Sequence, residues 1–196
     1  IKLEKEFGVS TKESEVAKLD TIIQSSNYLS KTIDDFRNFF KPNKEKNYFS
    51  IEEMTEQSIS LINASFAFHY IKINKNFANI EKVFGFPNEF SQAILNVLAN
   101  AKDVLVQKEI ENPQVNINIY ENEEFGFLEI EDNGGGINPN ILIKIFEPYF
   151  TTKEKNQGTG IGLYMSKMIV EKNMSGKLTV INTSIGAKFI FAIPKE

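Results

Sequence analysis

The sequence contains no cysteine and only one histidine, His69. Without cysteine it forms no disulfide bonds or thiolate metal sites, and a single histidine excludes sites built from several histidines. No run reaches the roughly 18–20 apolar residues that a membrane-spanning helix needs, and we find no signal peptide. The chain begins at Ile1 rather than Met, so we expect a piece of a longer protein with no membrane contact of its own.

The charge balance is mildly acidic. The chain has 22 basic and 26 acidic residues, a net charge of −4, which disfavours nucleic-acid binding because such proteins usually present a basic face. Hydrophobic residues make up 41% of the 196 residues, close to the globular average. We therefore expect one ordinary domain with an appendage and no nucleic-acid partner.

The N-terminal part carries a heptad seam. Apolar or small side chains recur there at alternating spacings of three and four residues, which predicts a helix that pairs with a second helix. The alternative is one amphipathic helix packed on its own domain. A helix stop at Lys41 and Pro42 divides the chain into residues 1–42 and 43–196. The seam comprises Leu19, Ile22, Ser26, Leu29, Ile33, Phe36 and Phe40.

The remainder mixes helices and strands. Ser50 and Glu53 fit a capping box, which predicts a helix to about Ala67. Further helices are predicted over residues 88–107, 141–145 and 161–173, the last closed by Gly176. Short apolar or alternating runs predict strands near residues 48–49, 71–73, 83–86, 115–119, 128–130, 178–181 and 188–193. The predicted fold is a two-layer α/β sandwich, a mixed sheet of about five strands with helices on one face, preceded by a long N-terminal helix.

The helix over residues 88–107 places Asn96, Asn100 and Asp103 on one face, roughly opposite its apolar stripe. The stripe consists of Phe90, Ile94, Val97, Leu98, Ala101 and Leu105. Oxygen donors of this kind suit Mg²⁺ beside a phosphate. The alternative is that these three side chains are simply solvated.

Two glycine-rich segments follow. Residues 132–137, Asp-Asn-Gly-Gly-Gly-Ile, come directly after a strand, where glycines allow a ligand close approach and a carboxylate can accept from an exocyclic amine such as that of adenine. The alternative is a turn with a local Asp cap. Residues 158–163, Gly-Thr-Gly-Ile-Gly-Leu, pass from a loop into a helix whose start is suited to an anion. Before them, residues 146–153 join an aromatic cluster to a polar, basic segment.

Taken together and in this order, these segments resemble the histidine kinase branch of the GHKL ATPase superfamily, which also includes gyrase-type and chaperone ATPases. Residues 96–101 resemble its N box, residues 132–137 its G1 box, residues 146–150 its F box and residues 158–163 its G2 box. Residues 28–42 resemble the second helix of the kinase dimerisation and phosphoacceptor hairpin. The resemblance implies an ATP-binding catalytic domain preceded by part of that hairpin.

The resemblance also implies roles. Asn100, with Asn96 beside it, is expected to hold Mg²⁺ as the catalytic pair, supported by Asp103, while Asp132 binds the adenine amino group. Lys153 and Lys155 are expected to offer charge to the phosphates. The glycines of the G1 and G2 boxes shape the adenine pocket and the phosphate cradle. The full set of expected nucleotide-binding residues is Asn96, Asn100, Asp103, Asp132, Gly134, Gly136, Ile137, Phe146, Thr152, Lys153, Gly158, Thr159, Gly160, Ile161, Gly162 and Leu163.

Two departures refine this expectation. The family's phosphoacceptor histidine lies on the first hairpin helix, whereas His69 lies inside the nucleotide domain, so this chain is not expected to phosphorylate itself. The hydrolytic members carry Glu where this chain has Asn96, and a neutral amide does not act as a general base for water. Both points favour a kinase that delivers phosphate to a separate acceptor.

The expected function is therefore that of a cytoplasmic sensor histidine kinase core. It would bind ATP with Mg²⁺, form a homodimer through the N-terminal helix, and pass phosphate through a histidine to a response-regulator aspartate. The alternatives are a nucleotide-binding dimerisation scaffold without kinase activity, a GHKL ATPase, and a kinase of protein serine.

Overall fold

The computed structural model describes residues 45–153 and 158–195. The heptad seam, the division after residue 42 and Lys155 lie outside the described residues, so those expectations stay predictions. Of the described residues, 45–150 and 160–195 belong to one compact unit, and 151–153, 158 and 159 fall outside it. No helix within the described residues combines the length and apolar character needed to cross a membrane.

Three helices belong to the compact unit. They are α1 (Ile51–Phe68), α2 (Pro87–Gln107) and α3 (Gly162–Met168), and α3 continues as a π-helical segment, Ile169–Asn173. At the start of α1 the Ser50 hydroxyl accepts a hydrogen bond from the Glu53 backbone N–H at 3.2 Å, which confirms the predicted cap. Pro87 opens α2 in the first turn, where its missing N–H costs nothing.

Within the described ranges, seven strands form two sheets. The strands are β1 (Asn47–Phe49), β2 (Lys72–Phe77), β3 (Val83–Gly85), β4 (Gln114–Glu121), β5 (Phe125–Asp132), β6 (Lys177–Asn182) and β7 (Ala187–Pro194). The main sheet has the order β2-β4-β5-β7-β6, with β2 and β4 parallel and the other neighbours antiparallel. This confirms the mixed five-stranded sheet. A separate antiparallel pair of β1 and β3 was not predicted.

The core lies between the helices and one face of the main sheet. The predicted apolar stripe of α2 is buried along its whole length, and the inward side chains of β4, β5 and β7 are buried against it. Phe90 of α2 meets Phe191 of β7 edge to face, with ring centroids 5.8 Å apart. The opposite sheet face alternates with the core residues and carries Asn116, Asn118 and Glu129, which are only partly buried.

The structure corrects one local prediction. Residues 139–143 form turns followed by a 3₁₀ segment, Lys144–Phe146, instead of a helix over residues 141–145. The backbone N–H groups of Lys144 and Ile145 both donate to the Ile141 carbonyl, so the chain closes one turn and does not continue. The third helix is closed by Gly176, as predicted, since the Gly176 N–H donates to the Val170 carbonyl at 2.8 Å, and Ser175 before it is left-handed, with φ of 56°.

Candidate functional site

Asp132 ends β5 and is buried, with 5% of its surface exposed. Its Oδ1 accepts hydrogen bonds from the backbone N–H groups of Gly134 at 2.8 Å and Ala187 at 3.4 Å. Burial raises the pKa of the Asp132 carboxyl, and the backbone donors and the Lys108 ammonium oppose this shift only in part. The predicted position of Asp132 at a strand end is confirmed, and its burial and hydrogen bonds fix the direction of the carboxyl group.

The three-glycine loop after Asp132 is held by its neighbours. Gly135 and Gly136 both have φ of +78°, a conformation that favours glycine. A Cβ at Gly134 would lie 2.9 Å from a methyl group of Val104, so α2 packs directly on the loop. The Lys108 ammonium donates to the Gly134 carbonyl at 2.6 Å. The loop that follows β5 is therefore held against the C-terminal end of α2 by non-covalent contacts.

Three residues at this loop were not predicted from the sequence: Lys108, Asn182 and Gly186. The Asn182 side chain bonds the backbone of Ile137, 45 residues away. Gly186 passes so close to the Asp132 carbonyl that a side chain would collide with it. The turn composition around Asn182 predicts a connection between strands, but nothing in it indicates a ligand. Lys108 had no signal beyond its place at a helix end.

Asn96 lies on a packed face of α2. Its Nδ2 donates to the Gly162 carbonyl and to the Ser166 hydroxyl, both at 3.1 Å, and Ser166 is fully buried. The structure thus brings the predicted N box residue against the start of α3. Asn100 and Asp103, further along the same face, are partly buried, so this face is not simply solvated. Asp103 lies 3.9 Å from the Lys102 ammonium.

The segment before the second glycine motif meets that motif at Gly160. Gly160 has φ of +64°, and a side chain there would collide with the Tyr149 backbone. Tyr149 itself is in the left-handed region, at φ of 65°. Phe146 packs edge to face on Phe189 at 6.4 Å and lies beneath the Lys167 ammonium at 4.8 Å. The F and G2 segments are therefore in contact at Tyr149 and Gly160.

The other predicted nucleotide-binding residues differ in their burial and in whether they belong to the compact unit. Ile161 is buried, whereas Ile137 and Leu163 are partly exposed. Thr152, Lys153, Gly158 and Thr159 fall outside the compact unit, and their part in the site stays a prediction. Among them, the Lys153 N–H donates to the Thr151 hydroxyl at 3.1 Å.

His69 caps the end of α1, and its ring meets Phe68 edge to face at 5.0 Å. This is the helix–strand junction that the sequence predicted. No group of three or more His, Asp or Glu side chains placed to hold a metal occurs in the part of the chain that the structure describes.

A family model described as histidine kinase-, DNA gyrase B-, and HSP90-like ATPase matches residues 85–196, more than half of the chain. The chain belongs to this ATPase family. The match spans all four segments that carry the resemblance, residues 96–101, 132–137, 146–150 and 158–163. It confirms the predicted family and the nucleotide use that goes with it.

Curated relatives of this ATPase domain are sensor kinases. The two-component sensor PprA of Pseudomonas aeruginosa is 42% identical over 57% of this chain and 12% of its own length. The sensor protein KdpD of Clostridium acetobutylicum is 32% identical over 74% of this chain and 16% of its own length. The chain thus spans less than a fifth of either relative, and the match supports the kinase branch of the family.

Solved structures show the same fold. The nucleotide-free catalytic domain of histidine kinase ThkA superposes with a TM-score of 0.68 at 28% identity, over 77% of this chain and 96% of that one. The complex of ThkA with the response regulator TrrA gives a TM-score of 0.75 at 20% identity, over 99% of this chain and 55% of that one. Both confirm the predicted α/β fold of a histidine kinase catalytic domain.

Proposed function

We propose that this ATPase-family domain binds ATP with Mg²⁺ and, in its full protein, transfers the γ-phosphate to a histidine. A response-regulator aspartate would then receive the phosphate. The observation that carries the proposal is the buried Asp132 carboxylate, fixed by the backbone of Gly134 and Ala187 at the mouth of a three-glycine loop. A buried carboxylate needs hydrogen-bond donors, and adenine offers one in its exocyclic amine.

The chemistry of Asp132 favours adenine over guanine. Both backbone donors bind Oδ1, and we assign Oδ2 to the exocyclic amine. Guanine carries a carbonyl oxygen at the corresponding ring position, and that oxygen would face a carboxylate instead of donating to it. A site built around a hydrogen-bonded polar group rejects an analogue that leaves the group unpaired.

At the phosphate end, the amide oxygens of Asn100 and Asn96 are of the type that Mg²⁺ accepts. The Asn96 hydrogen bonds use only Nδ2, which is compatible with metal binding through Oδ1. When bound, Mg²⁺ neutralises charge on the transferring phosphate. We assign Gly158, Gly160 and Gly162 to the phosphate cradle, with Lys153 and Lys155 supplying positive charge and Asp103 supporting the amide pair.

Asn96 also favours phosphate transfer over hydrolysis. Its Nδ2 donates to two acceptors, the Gly162 carbonyl and the Ser166 hydroxyl, so this side chain anchors α3. An amide has no basic site with which to take a proton from water. The geometry therefore supports phosphate transfer better than it supports hydrolysis by an ATPase that activates water at this position.

The partners belong to the same proposal. The N-terminal heptad seam would form a homodimer, the receiver domain of a response regulator would take the phosphate, and the domain would work in the cytoplasm, where ATP is present. The names of the relatives, a two-component sensor among them, support this assignment. His69 is held against Phe68 at the end of α1, and we propose that it receives no phosphate.

Calorimetric titration of the full chain with ATP and GTP tests the nucleotide assignment. Asp132→Asn keeps the size of the side chain but replaces an acceptor oxygen with a donor NH₂. We expect ATP binding to weaken by about 1.5–3 kcal/mol, the range for a hydrogen bond to a charged group. Glu131→Gln is the matched control, because it neutralises the adjacent carboxylate on the opposite sheet face. Equal ATP affinity in wild type and Asp132→Asn would remove Asp132 from the site.

A second experiment separates the kinase from its alternatives. A histidine-bearing dimerisation hairpin is added in trans with labelled ATP, and label on the hairpin, on this chain and in free phosphate is followed. The kinase labels the hairpin with an acid-labile phosphate, a hydrolytic ATPase releases free phosphate, and a binding scaffold does neither. Acid-labile label on this chain that disappears in His69→Gln would contradict the role assigned to His69.

A further inference from the structure

Asn182, the last residue of β6, forms two hydrogen bonds with one residue of the glycine loop. Its Oδ1 accepts from the Ile137 N–H at 2.8 Å, and its Nδ2 donates to the Ile137 carbonyl at 2.7 Å. A side-chain amide that both accepts from and donates to one residue's backbone fixes that residue's position and orientation. Gly136 lies against the same amide, since a Cβ there would be 2.8 Å from Oδ1.

The turn that follows Asn182 adds a third bond to the loop and is itself braced. The Ile185 carbonyl accepts from the Gly135 N–H at 2.9 Å. Within the turn, the Thr183 hydroxyl accepts from the backbone N–H groups of Ile185 at 3.3 Å and Gly186 at 3.1 Å. The β6–β7 turn therefore presents Asn182 and Ile185 to the loop as a defined template.

The three-glycine loop needs this support from the β6–β7 turn because its own sequence does not restrict its backbone conformation. Glycine has the largest conformational freedom of any residue, and this loop has three in succession. Gly135 and Gly136 are both held at φ of +78°. Ligand binding to a loop that samples many conformations is weakened by the cost of ordering it, and bonds that order it beforehand reduce that cost.

We propose that Asn182 is a positioning residue that holds the three-glycine loop in the conformation that receives the adenine end of the nucleotide. The inference rests on the proposed function, since it takes this loop as the adenine pocket. It adds a specific claim: part of the nucleotide affinity resides in a side chain of β6 that contacts no phosphate and acts through the backbone of Ile137.

The test is calorimetric titration of wild type, Asn182→Ala and Asn182→Asp with ATP, ADP and AMP. Asn182→Ala removes both bonds, whereas Asn182→Asp keeps the acceptor but places a second oxygen against the Ile137 carbonyl. We expect both variants to lose affinity about fivefold to tenfold. The factor should be the same for all three nucleotides, because they share the adenine end.

Asn122→Ala is the matched control. The Asn122 side chain also makes two bonds to backbone, accepting from the N–H groups of Glu124 and Phe125, but in the hairpin at the far end of β5. This variant should lose stability without losing nucleotide affinity. Amide exchange at Ile137 and Gly135, measured without nucleotide, should accelerate in Asn182→Ala only.

The outcomes distinguish the two proposals. If wild type binds none of the nucleotides, the proposed function fails, while the exchange measurement still reports on the loop. If wild type binds and Asn182→Ala binds within twofold of it, the positioning role is overturned. A loss seen with ATP but not with AMP would overturn it as well. Asn182→Ser replaces Asn182→Ala if thermal unfolding shows that the alanine variant does not fold.

Discussion

The side-chain amide of Asn96 in α2 lies 3.1 Å from the carbonyl oxygen of Gly162, the first residue of α3. The same amide nitrogen reaches the Ser166 hydroxyl at 3.1 Å, and that hydroxyl in turn donates to the Gly162 carbonyl at 2.9 Å. Two segments that the resemblance assigns to the metal and to the phosphates are therefore joined by hydrogen bonds within the protein itself. These bonds give Asn96 a part in stabilising the fold.

Asn96→Ala should lower the free energy of unfolding without nucleotide by about 1–3 kcal/mol, because Ser166 and the Gly162 carbonyl lose a donor in a buried setting. Asn63→Ala, at an exposed position of α1, is the control for the gain in helix propensity. Urea unfolding monitored by circular dichroism measures both variants. Equal effects of the two substitutions would show that the Asn96 hydrogen bonds contribute nothing to stability.

The glycines of the second motif should differ in their tolerance of a methyl group. Gly160→Ala forces a side chain into a left-handed conformation and against the Tyr149 backbone, so we expect a loss of about 1–3 kcal/mol in unfolding free energy. Gly162→Ala meets only ordinary contacts, the nearest being Asn96 Cγ at 3.6 Å. It should be neutral or stabilise α3 by up to about 1 kcal/mol. Thermal unfolding of both variants checks this order, and the reverse order would contradict the described backbone.

The raised pKa of Asp132 predicts how the free energy of unfolding changes with pH. The folded state holds this proton more tightly than the unfolded chain, whose pKa is near the ordinary value of 3.8. The contribution of Asp132 to the unfolding free energy is therefore largest below that value and falls as pH rises through the native pKa. Asp132→Asn removes the titration. Wild-type minus variant unfolding free energy, measured in urea across a pH series, should decrease with pH and then level off; an increase would mean a lowered pKa.

Asn100→Ala should weaken ATP binding more in the presence of Mg²⁺ than in its absence. The reason is that the variant removes an amide oxygen assigned to the metal, while the adenine pocket is unchanged. Calorimetric titrations with Mg²⁺ and with EDTA provide the comparison. Asn63→Ala again serves as control, and equal losses in the two conditions would argue against a metal role for Asn100.

Local patterns in the sequence predicted most of the fold. The six apolar positions of α2 and the cap at Ser50 were predicted because helix periodicity and capping depend on residues three and four positions apart. The pairing of β1 with β3 was not predicted, since it joins residues more than thirty positions apart. The π-helical end of the third helix depends on how Met174 and Gly176 pack against the sheet, and no local pattern specifies it.

For the candidate site, too, the sequence predicted some residues and missed others. Asp132 and the glycines stand together in the sequence, so they could be recognised as one motif, and the resemblance of the ordered segments implied the ligand. Asn182 and Lys108 reach the loop from other elements, and their own neighbours in sequence indicate only a turn and a helix end. The alternative that Asn96, Asn100 and Asp103 are simply solvated is wrong for Asn96, because its side chain bonds the start of α3.

The order of the main sheet leaves β2 and β6 as its two edges. An edge strand presents unpaired backbone groups on which a strand from another molecule can add. Each edge here begins with an exposed lysine, Lys72 in β2 and Lys177 in β6. An incoming copy in register would bring like charges together and strip their water. These exposed lysines therefore oppose edge-to-edge aggregation of the domain. Replacing them with apolar side chains would remove this protection.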